Sequence, residues 1–155
     1  MKKILIALDY NPVSQKVVEE GHKLARLTGA EICLIHVVAE PVNYGTRYPT
    51  FMGYEGFEPG AYDLNLAAEM HKMADDYLKS VAAHYQHEKV TTHLAEGDAG
   101  KAILQYSKEW NADLIVMGTH SHSFLEKMLM GTVASKVLEN TQIPVYMVPV
   151  KEENE

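Results

Sequence analysis

The sequence predicts an α/β protein: a single five-stranded parallel sheet, doubly wound, with helices on both faces. Two observations carry that expectation. Short continuous apolar runs at Ile4–Leu8, Ile32–Val37 and Leu114–Met117 have the composition of strands buried on both faces. Between them lie stretches whose apolar residues recur at helical spacing, and strand–helix–strand repeats build parallel sheets through right-handed crossovers.

The first run ends at Asp9. Asn11-Pro12 then has the form of a helix cap followed by proline in the first turn, and Val17, Val18, Gly21, Leu24 and Ala25 follow at helical spacing. Thr28-Gly29 ends this helix, glycine supplying the left-handed turn. The second strand, Ile32–Val37, comes next. From Glu40 to Ala61 the rhythm breaks: Pro41, Gly45, Pro49, Gly53, Gly56, Pro59 and Gly60 exclude a regular element. That insertion also carries Tyr44, Tyr48, Phe51, Tyr54 and Phe57, which leaves a lid, a partner-binding surface and a packed insertion all open.

A long helix follows, with Leu66, Met70, Met73, Tyr77 and Val81 forming one apolar stripe expected to face the core. Val90–Leu94 is a weaker strand whose Thr91, Thr92 and His93 suit a sheet edge. Asp98 caps the next helix, whose inner face is Ile103, Tyr106 and Trp110. Leu114–Met117 ends at Gly118. A last helix runs to about Asn140, Ile143–Val150 is the final strand, and residues 151–155 form a charged tail. Residues 1–150 make one domain. With the Val90 strand at an edge the order is 3-2-1-4-5, so the sheet reverses between strands one and four. Ligands of such sheets bind at the carboxyl ends flanking that point, here marked by Asp9 and Gly118.

The 155-residue chain is 46% hydrophobic and 23% charged, which fits one well-packed globular unit. Its formal net charge of −7 excludes non-specific binding to nucleic acid or to anionic membrane. An anionic small ligand stays open, because backbone N–H groups at a helix start hold phosphate without lysine. The single cysteine, Cys33, sits in an apolar run and reads as a small buried hydrophobe in a reducing compartment. Met1-Lys2-Lys3 imitates a signal peptide, but Asp9 stops the apolar run too early, and no stretch has the length of a membrane span. The cytoplasm is the expected location.

The informative segment is Met117 to Val133. Gly118 follows a buried strand, where the chain turns sharply. Ser123 and Glu126 have capping-box spacing. Gly131-Thr132 then interrupts the helical stretch, at a cost of about 1 kcal/mol for glycine within a helix. Either a second helix starts at Thr132 with free N–H groups facing an anion, or Gly131 permits close helix–sheet packing. There is no Gly-x4-Gly-Lys-Ser/Thr, so no lysine is placed to follow charge on a transferred phosphate. Lys127 and Lys136 read as solvated. The eight histidines raise a rival: His120, His122, His36 and Asp9 gather at one sheet edge and have the chemistry of a zinc or nickel site. Against it, no helical His-x3-His or Cys/His spacing is present. His22, His71, His84, His87 and His93 fall on outer faces or edges and receive no role.

Over nearly its whole length the chain resembles the universal stress protein family. The resemblance lies in the strand ending at Asp9, the Ile35-His36-Val37 strand end, Gly97 before the third helix, and the Leu114–Thr132 block. The nucleotide-binding branch of that family carries Gly-x2-Gly-x9-Gly-Ser/Thr. Here Gly118 and Gly131-Thr132 stand at the right spacing, with Ser121 in place of the second glycine. The resemblance implies an adenine nucleotide alpha hydrolase-like fold that binds ATP or AMP. It places Asp9 near the ribose, with Ala7 and Val37 lining the adenine pocket. Met117 and Gly118 would follow the ribose and first phosphates, and Ser121, Gly131, Thr132 and Val133 would surround the phosphate chain. Magnesium would be held through the phosphates with help from Asp9. At positive φ a serine at 121 is strained; at negative φ its hydroxyl adds a donor.

With no Walker lysine and no evident base to orient a water, no enzyme beyond slow ATP hydrolysis is expected. The resemblance further implies a stress-response regulator that signals as a homodimer through Val145, Tyr146, Met147 and Val148. That apolar strand lies on an open edge, which monomers normally protect. A protein client fits the same reading. The alternative is a stress-linked interaction module that binds no nucleotide.

Overall fold

The computed structural model describes residues 1–9, 14–38, 64–85, 89–119 and 130–150. Five strands, β1 (Lys3–Leu8), β2 (Glu31–Val38), β3 (Val90–Glu96), β4 (Leu114–Gly118) and β5 (Val145–Val148), form one sheet in the order β3-β2-β1-β4-β5. Every pairing is parallel. The helices among the described residues are α1 (Ser14–Thr28), α2 (Leu64–Ala83), α3 (Ala99–Glu109) and α4 (Thr132–Asn140). Class, strand order and edge strands agree with the sequence reading. The 40–61 insertion, the Ser123–Glu126 capping box and the 151–155 tail lie outside the described residues.

Strand alternation divides the core into two layers. Ile4, Ile6, Leu8, Ile32, Leu34, Leu114, Val116 and Val148 face α1 and α2. Leu5, Cys33, Ile35, Ile115 and Met117 face α3 and α4, where Ile103, Ala134 and Val137 close over them. The central strands are therefore apolar on both sides, which is why they appear in the sequence as unbroken runs.

α1 lies close on the sheet because Gly21 has no side chain. A Cβ there would stand 2.5 Å from Ile6 Cδ1 and 2.9 Å from Ile6 Cγ1. The helix ends as expected at Gly29, whose φ is +67°. α3 begins with Asp98, whose carboxylate accepts the Lys101 amide at 2.9 Å. Asn111 takes φ +57° in the turn into β4, a conformation asparagine tolerates.

The stripe expected on α2 is rotated. Met73 is 58% exposed, whereas Ala74 and Leu78 are the buried residues and Val81 and Ala82 pack beside them. The Met residues drew the stripe toward themselves; the inner face is set by the smaller Ala74, which lets the helix approach. Lys136 is not simply solvated, since its ammonium holds both Asp98 carboxylate oxygens at 3.0 Å and ties α4 to the start of α3. Val148 is 1% exposed and packs in the core of this chain, so of the edge strand's side chains Tyr146, 40% exposed, faces outward.

Cys33 is buried as expected. Burial raises its thiol pKa, and the thiol lies 3.7 Å from the Tyr106 hydroxyl, which burial pushes up to about 12. His93 stacks on the same Tyr106 ring at 3.6 Å, and burial lowers its pKa.

Candidate functional site

The two edges of the sheet are built differently. At the amino edge, the Asp113 carboxylate accepts the Lys2 and Lys3 amides at 2.7 and 2.9 Å, fastening β1 to the start of β4. At the carboxyl edge the same two strands part. β1 stays paired with β2 to Leu8↔His36, and β4 with β5 to Gly118↔Val148. The register between β1 and β4, however, stops at Ile6↔Val116. Two residues of each strand run on past the last shared rung, at the reversal of strand order where sheets of this kind have their crevice. This is where an open parallel sheet binds its ligands.

One wall of that crevice is apolar. Ala7, Val37 and Met117 come from three strands yet share one face by alternation, and Val133 of α4 packs against the same cluster. Ala7, Val37 and Val133 are half-buried, while Met117 is 4% exposed and forms the floor. Four residues assigned by resemblance thus meet at one end of one face.

The other wall is the start of α4. Gly131 occupies the cap position with φ −68° and ψ 159°, and no side chain caps the helix. Its extended backbone answers the question the sequence left open: a helix starts at Thr132, and Gly131 is no packing glycine in mid-helix. The first intrahelical bond is from the Ser135 amide to the Gly131 carbonyl at 3.0 Å. The amides of Thr132, Val133 and Ala134 precede it, and such amides carry the positive end of the helix dipole.

Thr119 fastens this helix start to the sheet. Its amide donates to the Val148 carbonyl at 3.0 Å, and its own carbonyl accepts the Gly131 amide at 2.7 Å. Its hydroxyl also accepts the Val150 amide at 3.3 Å. Gly118 and Gly131 are thereby drawn together, although twelve residues separate them in sequence. Ser121, His120 and His122 lie in the 120–129 segment, outside the described residues. Among the described residues no group of three His, Cys, Asp or Glu side chains has metal-binding proximity.

Asp9 follows β1 at the crevice mouth. The Ser14 hydroxyl donates to its carboxylate, and the Tyr77 hydroxyl donates to its carbonyl at 3.4 Å. His36, weighed above as a metal ligand, turns toward α2: its Nδ1 donates to the Leu8 carbonyl at 2.8 Å and its ring meets Tyr77 edge-on. Ser14, Tyr77 and Thr119 were missed in the sequence. A signal for Ser14 was present, since residues 14, 17, 18, 21 and 25 form the buried stripe of α1 and only Ser14 in it carries a hydroxyl.

Comparison with known proteins agrees with this architecture. The sequence profile described as the universal stress protein family matches residues 1–149. Universal stress protein MJ0531 of Methanocaldococcus jannaschii is 32% identical over 155 residues, covering 97% of this chain and 85% of that protein. Among solved structures, the hypothetical protein MJ0577, whose biochemical function was assigned from structure, superposes with a TM-score of 0.78 at 20% identity, covering 98% of each chain. A universal stress protein in complex with cAMP superposes with a TM-score of 0.60 at 17% identity, covering 97% of this chain and 98% of that one. No helix among the described residues is long and apolar enough to cross a membrane. With its profile match, its relatives and its 3-2-1-4-5 sheet, the chain belongs to the universal stress protein family.

Proposed function

We propose that this protein is a stress-response regulator that binds an adenine nucleotide, ATP or AMP, in the crevice between β1 and β4. The observation that carries the reading is the start of α4: a glycine cap without a side-chain partner, bonded through Thr119 to the end of β4. A helix start of this kind is a phosphate site, because its amides and dipole both favour an anion. The half-buried wall of Ala7, Val37 and Val133 suits a flat apolar base. The cAMP complex of a structural neighbour is consistent with a nucleotide ligand. Magnesium would accompany ATP as the counter-ion of its phosphates.

Binding rather than turnover is the proposed role. Lys136, the cation nearest in sequence to the α4 start, is spent on Asp98. Signalling would pass through a homodimer formed along β5. Tyr146→Lys should then halve the mass measured by light scattering, and an unchanged dimer would remove this strand as the interface.

The experiment is a thermal melt of nucleotide-free protein with ATP–magnesium, ADP, AMP, GTP or zinc. Ligand at about 100 times its dissociation constant adds roughly 2.7 kcal/mol, which for this size is a rise of roughly 5–10 °C. A rise with adenine nucleotides supports the reading. No rise with any nucleotide would leave an interaction module, and a rise with zinc alone would restore the histidine site.

A further inference from the structure

The chain leaving β1 is gripped by side chains from three other elements. Ser14, the first residue of α1, donates its hydroxyl to the Asp9 carboxylate. Tyr77, from the middle of α2, donates to the Asp9 carbonyl at 3.4 Å. His36, at the end of β2, donates to the Leu8 carbonyl at 2.8 Å. The carbonyl only accepts, so His36 carries a proton on Nδ1. His36 and Tyr77 brace each other, their rings 6.4 Å apart at 78°.

Ser14 is the revealing member. It is 6% exposed, and with Ser107 it is one of two buried polar residues among those described. Ser107 bonds back to its own helix, at the Leu104 carbonyl. Ser14 instead reaches out of its helix to a carboxylate. An alanine would fill the same apolar stripe without a polar group to satisfy, and a buried hydroxyl left unpaired costs about 1–3 kcal/mol. The hydroxyl is therefore explained by what it does to Asp9.

Asp9 is well placed to read a ligand. Asp9 comes three residues after the last rung on β1, as Thr119, the residue that holds Gly131, does on β4. Both residues stand at the carboxyl edge of the sheet, where its order reverses, so Asp9 shares the crevice with a phosphate seated on α4 and with the groups attached to that phosphate. An ionised carboxylate repels phosphate and only accepts hydrogen bonds, so it matches hydroxyl donors such as a sugar diol.

We infer that Ser14 is a positioning residue for the nucleotide: it orients the Asp9 carboxylate toward the sugar hydroxyls while Tyr77 and His36 hold the backbone beneath it. The site is then set for ribonucleotides before the ligand arrives. This inference rests on the nucleotide reading above and adds a sugar preference to it.

Titration calorimetry of the full chain with ATP and with 2′-deoxy-ATP tests it. Wild type should prefer ATP by about 10-fold, since a site built to bond a hydroxyl rejects an analogue lacking it. Ser14→Ala should weaken ATP about 10-fold and 2′-deoxy-ATP far less, bringing the ratio near unity. Tyr77→Phe, which keeps the ring and so preserves the fold should Ser14→Ala fail to fold, should lower the ratio in the same direction. Parallel losses for both nucleotides, or an unchanged ratio in both variants, would overturn the positioning role while leaving nucleotide binding intact. Wild type that binds neither nucleotide would remove both readings together.

Discussion

Replacing Gly131 by aspartate separates the fold of α4 from its proposed ligand. The cap residue has φ −68° and ψ 159°, a conformation open to any amino acid, so aspartate fits without backbone strain. Aspartate is also a better cap than glycine, by a few tenths of a kcal/mol. Its carboxylate would accept from the same first-turn amides that are proposed to hold phosphate. Unliganded Gly131→Asp protein should therefore melt at the wild-type temperature or about 1 °C above it.

With nucleotide the sign reverses. Two unit charges about 4 Å apart repel by roughly 1 kcal/mol in water and roughly 4 kcal/mol near a protein surface. A penalty near the middle of that range, about 2.7 kcal/mol, weakens binding about 100-fold. ATP that stood at about 100 times its dissociation constant now stands at about that constant and adds only about 0.4 kcal/mol. The thermal shift should collapse to about 1 °C. Gly131→Asn, which caps without charge, should keep most of the shift. Two results would refute the reasoning: an aspartate variant that keeps the full nucleotide shift, or one that melts well below wild type without ligand.

Other expectations follow from the same geometry. Leu78→Ala should cost about 2–5 kcal/mol, since Leu78 is fully buried. Met73→Ala should stay within about 0.5 kcal/mol because Met73 is 58% exposed; urea melts of both would detect an inverted order. Gly21→Ala gains about 1 kcal/mol of helix propensity but drives a methyl to 2.5 Å from buried Ile6 Cδ1. It should destabilise the protein by up to about 2 kcal/mol, overpacking costing about 1–3, and adding Ile6→Val should recover part of the loss. Asp98→Ala should cost about 0.5–2 kcal/mol at neutral pH. The Lys101 amide and the Lys136 ammonium hold the Asp98 carboxyl below its ordinary value of 3.8. That stability is present above 3.8 and is lost as pH falls through the lower folded value, so acid melts of wild type and variant should converge.

The strands were legible because each apolar run is a direct record of burial on two faces. Asp98 and Gly29 were legible because capping and left-handed turns have residue types of their own. The face of α2 was not, since periodicity counts Met73 and Ala74 by hydrophobicity, whereas burial depends on which of them lets the helix lie closer. The candidate site was half legible. Sheet order located the crevice from Asp9 and Gly118, and alternation could have grouped Ala7, Val37 and Met117. Thr119, Ser14 and Tyr77 act through hydrogen bonds spanning 12, 5 and 68 residues, to Gly131 and Asp9. No local pattern records contacts of that kind.

The early end of the β1–β4 ladder has a consequence for how such a protein changes over generations. The fully buried side chains that hold the domain together, Ile4, Leu5, Ile6, Ile115 and Val116, lie on the shared rungs or between them. Beyond the last rung Leu8 and Met117 still belong to that core, whereas Ala7 and Gly118 are only half-buried. Substitutions at the half-buried crevice positions can thus accumulate with small effect on folding. A lineage can exchange one recognised molecule for another, or abandon recognition altogether, and still inherit a sound scaffold.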